Sequence, residues 1–161
     1  MSDEKVGNIQ KIPLDMINEL VTAEPQVPCS EDELKEVLND IHKAADSRNY
    51  YPQVSTPDNP ALSDDYVFDS KDESYILKDL QKENFVGKVK DLSKGAKKRR
   101  EKGYPDEYLY VFKYGCKLTK RICEEEKIVQ ENVLIYIKVN DRKVPYKSVI
   151  IVSFHKNKRK N

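Results

Sequence analysis

The sequence predicts an α+β domain in which N-terminal helices pack on a C-terminal antiparallel sheet of three to four strands. Three observations carry this expectation: a capped amphipathic segment over residues 30–47, a second capped segment from Ser70, and a change after residue 107 to dense β-branched and aromatic runs. In the first segment Ser30 stands three residues before Glu33, the spacing of a capping box, and Leu34, Val37, Leu38, Ile41, Ala44 and Ala45 recur on one helical face. That helix should end near Ser47 to Asn49. The stretch YYPQVSTPDNPALSDD carries three prolines and little apolar content, so it reads as a loop or an irregular strand. Ser70 and Glu73 repeat the capping spacing ahead of YILKDL, predicting a helix through about Gln81 with Tyr75, Ile76 and Leu80 turned inward. Upstream, IPLDMINELV sets Leu14, Ile17, Leu20 and Val21 at helical spacing before Pro25 and Pro28. Residues 1–29 are therefore read as an extension or accessory helix, and residues 30–161 as the domain with a basic C-terminal tail.

In the second half YLYVFKY alternates Tyr108, Tyr110, Phe112 and Tyr114 with Leu109, Val111 and Lys113, while VLIYIKV and SVIIVSF are rich in β-branched residues. A weaker fourth strand is expected from Cys116 to Ile122, with EEEK and NDRKVPYK as hairpin connections. Between helices and sheet lies GKVKDLSKGAKKRREKGYPD, the most positive window of the chain, read as loop or partly helix.

Charge is segregated along the chain. Residues 1–86 hold 8 Lys and Arg against 19 Asp and Glu, a net of −11, and residues 87–161 hold 21 against 9, a net of +12. Such a division implies an electropositive surface able to hold phosphates, beside an acidic portion that solvates the fold or repels anions from one side. No window approaches the roughly 20 apolar residues that span a bilayer, and MSDEKVGNIQ lacks the apolar core of a secretory signal, so the expected location is the cytoplasm. Cys29, Cys116 and Cys123 are odd in number and unpaired in spacing, which suits a reducing compartment. Two distant histidines, without CxxC or HExxH, point to no metal, and the glycines match no nucleotide-binding loop, so no cofactor is expected. Cys116 or Cys123 with His155 is a conceivable thiol pair that no local signature supports; both read as space-filling. His42 reads as an exposed helix residue.

Strand periodicity selects the candidate site. Leu134, Tyr136 and Lys138 share one face, opposite Ile135, Ile137 and Val139. In the last strand Val149, Ile151, Ser153 and His155 share a face, opposite Ile150, Val152 and Phe154, and the wholly apolar sets should meet the helices. Tyr136, Lys138, Ser153 and His155 then lie on the open face, with Lys113 or part of the tyrosine-rich strand. Metal-free RNA cleavage needs such groups: a base for the 2′-OH, cations for the pentacovalent phosphate and a proton for the departing 5′-oxygen. Histidine exchanges protons near neutral pH, and lysine or arginine stabilises phosphate charge.

In order and spacing, LNDIHKAADSRNYY, SYILKDLQKENFVGK, YVFKY, IYIKV and VIIVSFH resemble the motility quorum-sensing regulator (MqsR) toxins, mRNA interferases of RelE-like fold from toxin–antitoxin systems. The resemblance covers about residues 32–157 and rests on short motifs taken together. It implies Tyr136 as the family's strand tyrosine, His155 as its terminal acid–base residue and Lys113 as the lysine of its W.FK strand. Lys88 is implied as the lysine after the second helix, with a shift of a residue or two. Three departures stand out: the strand's tryptophan is Tyr110, the acidic residues that follow SFH are replaced by KNKRK, and residues 1–30 have no counterpart. The implied activity is mRNA cleavage by 2′-OH attack, with His155 as general acid or base and Tyr136 orienting or deprotonating. Lys88 and Lys113 complete the catalytic set. Lys97, Lys98, Arg99, Arg100, Lys138, Lys156 and Lys158 would bind RNA, and a cognate antitoxin is the implied protein partner. The competing expectation is a non-catalytic module that holds RNA or an acidic protein on the same basic surface.

Overall fold

The computed structural model describes residues 9–12, 26–52, 61–121, 128–144 and 146–156. It is an α+β arrangement of three α-helices and a six-stranded antiparallel sheet. The strands are β1 (Gln10–Lys11), β2 (Gln26–Val27), β3 (Phe85–Lys90), β4 (Tyr108–Thr119), β5 (Gln130–Arg142) and β6 (Ser148–Lys156). They run in the order β2-β3-β4-β5-β6, with β1 added to β4. The helices are α1 (Glu31–Asp46), α2 (Ser70–Asp79) and α3 (Lys94–Glu101).

Helix α1 forms where its apolar spacing directs. The Ser30 hydroxyl accepts from the Glu33 N–H, and Leu34, Val37, Leu38, Ile41, Ala44 and Ala45 are buried on one side. It stops at Ser47, after which Arg48 takes a left-handed conformation at φ 54°. For α2 the cap is one residue earlier than the sequence suggests: Asp69 accepts from the N–H groups of Lys71 and Asp72, and Asp72 accepts from the Asp69 N–H. Ser70 is thus the first helical residue, and Glu73 is released to accept from the Tyr50 hydroxyl.

The sheet departs from expectation in three places. The basic window contains both a strand and a helix, β3 and α3, so helices and strands interleave. Glycine and alternating lysines hide β3, yet it lies inside the sheet between β2 and β4. Second, Cys116 does not begin a new strand, because β4 runs unbroken through Gly115 to Thr119. Third, residues of the N-terminal extension supply β1 and β2, and Ile9 enters the core. The accessory helix expected over residues 14–21, the acidic connection at 124–127 and Cys123 lie outside the described residues.

One face of the sheet carries the main core. Tyr110, Phe112, Tyr114, Cys116 and Leu118 of β4 alternate inward with Val133, Ile135, Ile137 and Val139 of β5, against Ile41 of α1 and Ile76 and Leu77 of α2. Each large aliphatic chain buried there contributes roughly 1.5–3 kcal/mol. His42, expected to be exposed, is half-buried and bonded through Nε2 to the Leu80 carbonyl at 2.8 Å.

The β5–β6 hairpin is tied to α1 by ionisable groups. Lys143 Nζ reaches Asp40 Oδ2 at 2.7 Å and Glu36 Oε2 at 2.8 Å, and Lys147 Nζ reaches Asp40 Oδ1 at 2.8 Å. Asp141, whose side chain is fully buried, meets the Asp40 carboxyl, with Lys143 Nζ 3.5 Å away. Two carboxylates in contact require a proton between them. Burial, reinforced by Asp40, pushes Asp141 up to about 7, while Asp40, despite its own burial, is held low by Asp141, Lys143 and Lys147. Because the folded state keeps a proton on Asp141 that the unfolded chain has released, this group favours folding at acid pH and loses that contribution as pH rises towards 7. Asp141→Asn should therefore flatten the stability profile between pH 5 and 8 and exceed the parent at pH 8 by about 1 kcal/mol or more. Urea unfolding across that range checks it; parallel profiles for the two proteins would remove the shared proton.

Candidate functional site

On the face of the sheet opposite the main core, cross-strand pairing sets three chemically active side chains in one row. Tyr136 of β5 is paired with Lys113 of β4 on one side and with His155 of β6 on the other. The Tyr136 and His155 rings lie with centroids 6.1 Å apart and planes inclined at 48°. The next row pairs Lys138 with Val111 and Ser153, and Lys138 Nζ stands 5.3 Å from the centre of the Tyr136 ring. Lys113, Tyr136, Lys138 and His155 are all half-buried, so they keep contact with solvent. Beneath Tyr136 is a small apolar cluster of Val89, Leu109 and Val111, which seats its ring.

A β-bulge in β6 gives His155 this position. Lys138 pairs with Ser153 and Val139 with Ile151, leaving Val152 as an extra residue. Val149 and Ile151 therefore enter the main core, and so does Phe154, whose ring lies 5.9 Å from that of Phe68. Strict alternation keeps Val149 and Ile151 with Ser153 and His155; the bulge separates the two sets. His155 Nδ1 lies 2.9 Å from the Lys156 carbonyl. A carbonyl only accepts, so Nδ1 is the donor in this contact, and in the neutral form of the ring the lone pair is left on Nε2.

The other sequence-selected residues are distributed more widely. Lys88 is on the opposite face, paired with Tyr110 across β3 and β4, and donates to Glu33 Oε2 at 2.6 Å. It also stands 4.4 Å from the Tyr108 ring centre. Burial opposes ionisation of Glu33, but the Lys88 ammonium and the Tyr110 hydroxyl outweigh it and hold that carboxyl below its usual range. Lys88 is thus part of the helix–sheet contact and is not brought to Tyr136 and His155. Lys156 also turns to the helix face, where its Nζ reaches Glu131 Oε1 at 3.3 Å. Arg99 holds Glu107 through two hydrogen bonds, one of them Nη2 to Oε1 at 2.9 Å, and Arg100 is 3.7 Å from Asp106. Lys97 and Lys98 are exposed on α3, and Lys158 lies outside the described residues.

Helix α3 nevertheless shares the face of the candidate site. Ser93 caps it, Ala96 is buried beneath it, and Gly103 follows its end at φ 98°. Glu107, held by Arg99, also accepts from Asn140 Nδ2 at 2.9 Å, and Asn140 donates to Asp91 at the same distance. Asn140 is on the Tyr136 face, four residues along β5, or about 13 Å. Helix α3, with Lys97 and Lys98 exposed on it, therefore lies towards the Asn140 end of this face. The sequence reading misses Lys117, on the same side as Lys113 and paired with Asn132, because Gly115 reads as a break.

Comparison with family models, curated proteins and solved structures gives no match. The geometry has to be interpreted on its own chemistry. Cys116 lies in the main core, on the opposite side of the sheet from His155, and burial pushes its thiol up to about 12, so it is no partner for that imidazole. Among the described residues no group of three or more His, Cys, Asp or Glu is close enough to hold a metal ion, and no helix is long and apolar enough to cross a membrane. The two rows together offer an imidazole, a phenol and two ammonium groups.

The position of Lys88 separates structure from chemistry. Lys88→Met should lower unfolding stability by about 1–3 kcal/mol, because Glu33 loses its cation inside the helix–sheet contact. Thermal unfolding measures that loss. A variant that unfolds at the parent's temperature would remove Lys88 from the helix–sheet contact.

Proposed function

We propose that this chain is a metal-independent endoribonuclease whose active groups are His155, Tyr136, Lys113 and Lys138. The pairing of Tyr136 with His155, bracketed by Lys113 and Lys138 on the face opposite the main core, carries the reading. His155 Nε2 removes the 2′-OH proton, the 2′-oxygen bonds to phosphorus, and the P–O5′ bond breaks. Tyr136 donates a proton to the departing 5′-oxygen, leaving a 2′,3′-cyclic phosphate. Lys113 and Lys138 stabilise the charge on the phosphoryl oxygens. Lys97 and Lys98 of α3 hold the flanking backbone by charge.

The short motifs, together with the α+β order and antiparallel sheet, support extending this proposal to a RelE-like mRNA interferase toxin of the MqsR kind. Such a toxin acts in the cytoplasm and is restrained by an antitoxin that covers the cationic face. Co-expression with a protein encoded beside it should yield a complex in which RNA cleavage is suppressed.

His155→Ala and Tyr136→Phe should each slow cleavage of labelled RNA by about 10²-fold or more, with unchanged thermal stability. EDTA should leave the parent rate unaltered. RNA that is retarded but intact at every pH, with affinity falling steeply in salt, would identify a non-catalytic binding module instead.

A further inference from the structure

The tip of β6 is held from the helix side by residues that take no part in the proposed chemistry. Glu131, at the start of β5, accepts a short hydrogen bond from the Tyr66 hydroxyl. The same Oε1 is 3.3 Å from Lys156 Nζ, and Lys156 Nζ is also 5.8 Å from the Tyr66 ring centre. Tyr66 is itself immobilised: it is 2% exposed and forms a bridge to Lys120, and the adjacent Val67 N–H donates to the Thr119 carbonyl at 2.8 Å. The Tyr66 hydroxyl, joined by the Lys156 and Lys120 ammonium groups, keeps Glu131 below its usual range and therefore anionic at neutral pH.

The consequence falls on the residue between. Phe154 is anchored in the main core and Lys156 is anchored by Glu131, both on the helix face. With both neighbours fixed there, the pleat turns His155 to the Tyr136 side. The Lys156 carbonyl that accepts from Nδ1 belongs to the residue whose side chain is clamped.

We propose that Glu131 is a positioning residue which, through Lys156, fixes the orientation and the Nδ1–H tautomer of His155 on the far side of the sheet. Its relevance to catalysis rests on the nuclease reading above, while its effect on the imidazole does not. The chain has two histidines, so His42 provides an internal control in the same sample.

Side-chain ¹⁵N spectra of the full chain, recorded above the histidine titration range, read the tautomer directly. The parent should show His155 mainly with its proton on Nδ1. Lys156→Met breaks the tie but leaves the Tyr66 hydroxyl with its acceptor, so the fold is retained. It should move His155 towards the Nε2–H form favoured by free histidine, with the His42 signals unchanged. Glu131→Ala should do the same, and Glu131→Gln, which keeps an acceptor for both donors, should restore part of the parent signature. A parent His155 protonated mainly on Nε2, or a tautomer unchanged in both Lys156→Met and Glu131→Ala, overturns the proposal. If the parent cleaves RNA, Glu131→Ala should lower kcat about tenfold or more with little change in KM. A parent that cleaves nothing refutes the nuclease reading, and the spectra still decide the positioning role.

Discussion

The pleat of β4 and β5 is the constraint on which the arrangement depends. Their inward residues, from Tyr110 to Leu118 and from Val133 to Val139, are pressed against α1 and α2. A one-residue slip would bring Lys113, Tyr136 and Lys138 into that core and expose Phe112, Ile135 and Ile137. Burial of the aliphatic set therefore fixes where the phenol and ammonium groups stand, although they contribute little to the packing. The candidate site is held in place by the opposite face of its own strands.

Electrostatics on the core side follows a repeated unit. Tyr110 donates to Glu33, which also holds Lys88; Tyr114 donates to Asp79, which also holds Lys11; Tyr66 donates to Glu131, which also holds Lys156. In each case the ammonium lies within about 6 Å of the tyrosine ring centre, a cation–π distance. Each unit satisfies a tyrosine hydroxyl at the edge of the core, where an unpaired one is costly. Burial is the first reason that the Tyr110 and Tyr114 hydroxyls are raised above their ordinary range, and the neighbouring carboxylates add to it, so these phenols remain donors. These contacts also change the meaning of the charge segregation. Glu33, Glu36 and Asp40 from the acidic half are joined to Lys88, Lys143 and Lys147 from the basic half. Part of the basic excess thus binds the helix layer to the sheet and is removed from any ligand.

Legibility in the sequence followed the strength of periodicity. α1 was readable because six apolar positions and a serine cap agree. β3 was not, since FVGKVK combines a glycine, two lysines and a register shift between Phe85 and Gly87 that reverses its faces part-way along. In β6 four consecutive apolar residues, Val149 to Val152, flanked by Ser148 and Ser153, leave the period undefined, because either parity supplies an apolar set. Alternation correctly joined Ser153 and His155 to Tyr136 and Lys138, but it put Phe154 with Ile150 and Val152, whereas the bulge puts Phe154 with Val149 and Ile151. Lys88 was assigned from the family resemblance with a shift of a residue or two, and in a strand a shift of one residue changes the face on which a side chain stands.

The same distribution decides the field around His155. On the site's face, Asp91 and Glu107 are at the α3 end, where Asn140 and Arg99 engage them. At the other end the residues paired with Tyr136 and Lys138 are Lys113, His155, Val111 and Ser153, none of them acidic. Basic and neutral side chains therefore neighbour Tyr136, over a floor of valine and leucine that lowers the effective dielectric. Along this face the carboxylates of Asp91 and Glu107 are thus gathered with Asn140 and Arg99 near α3, and the imidazole stands in a row with a phenol and a lysine. In the nuclease proposed above, that division keeps those two carboxylates away from the end of the face where the phosphate would sit.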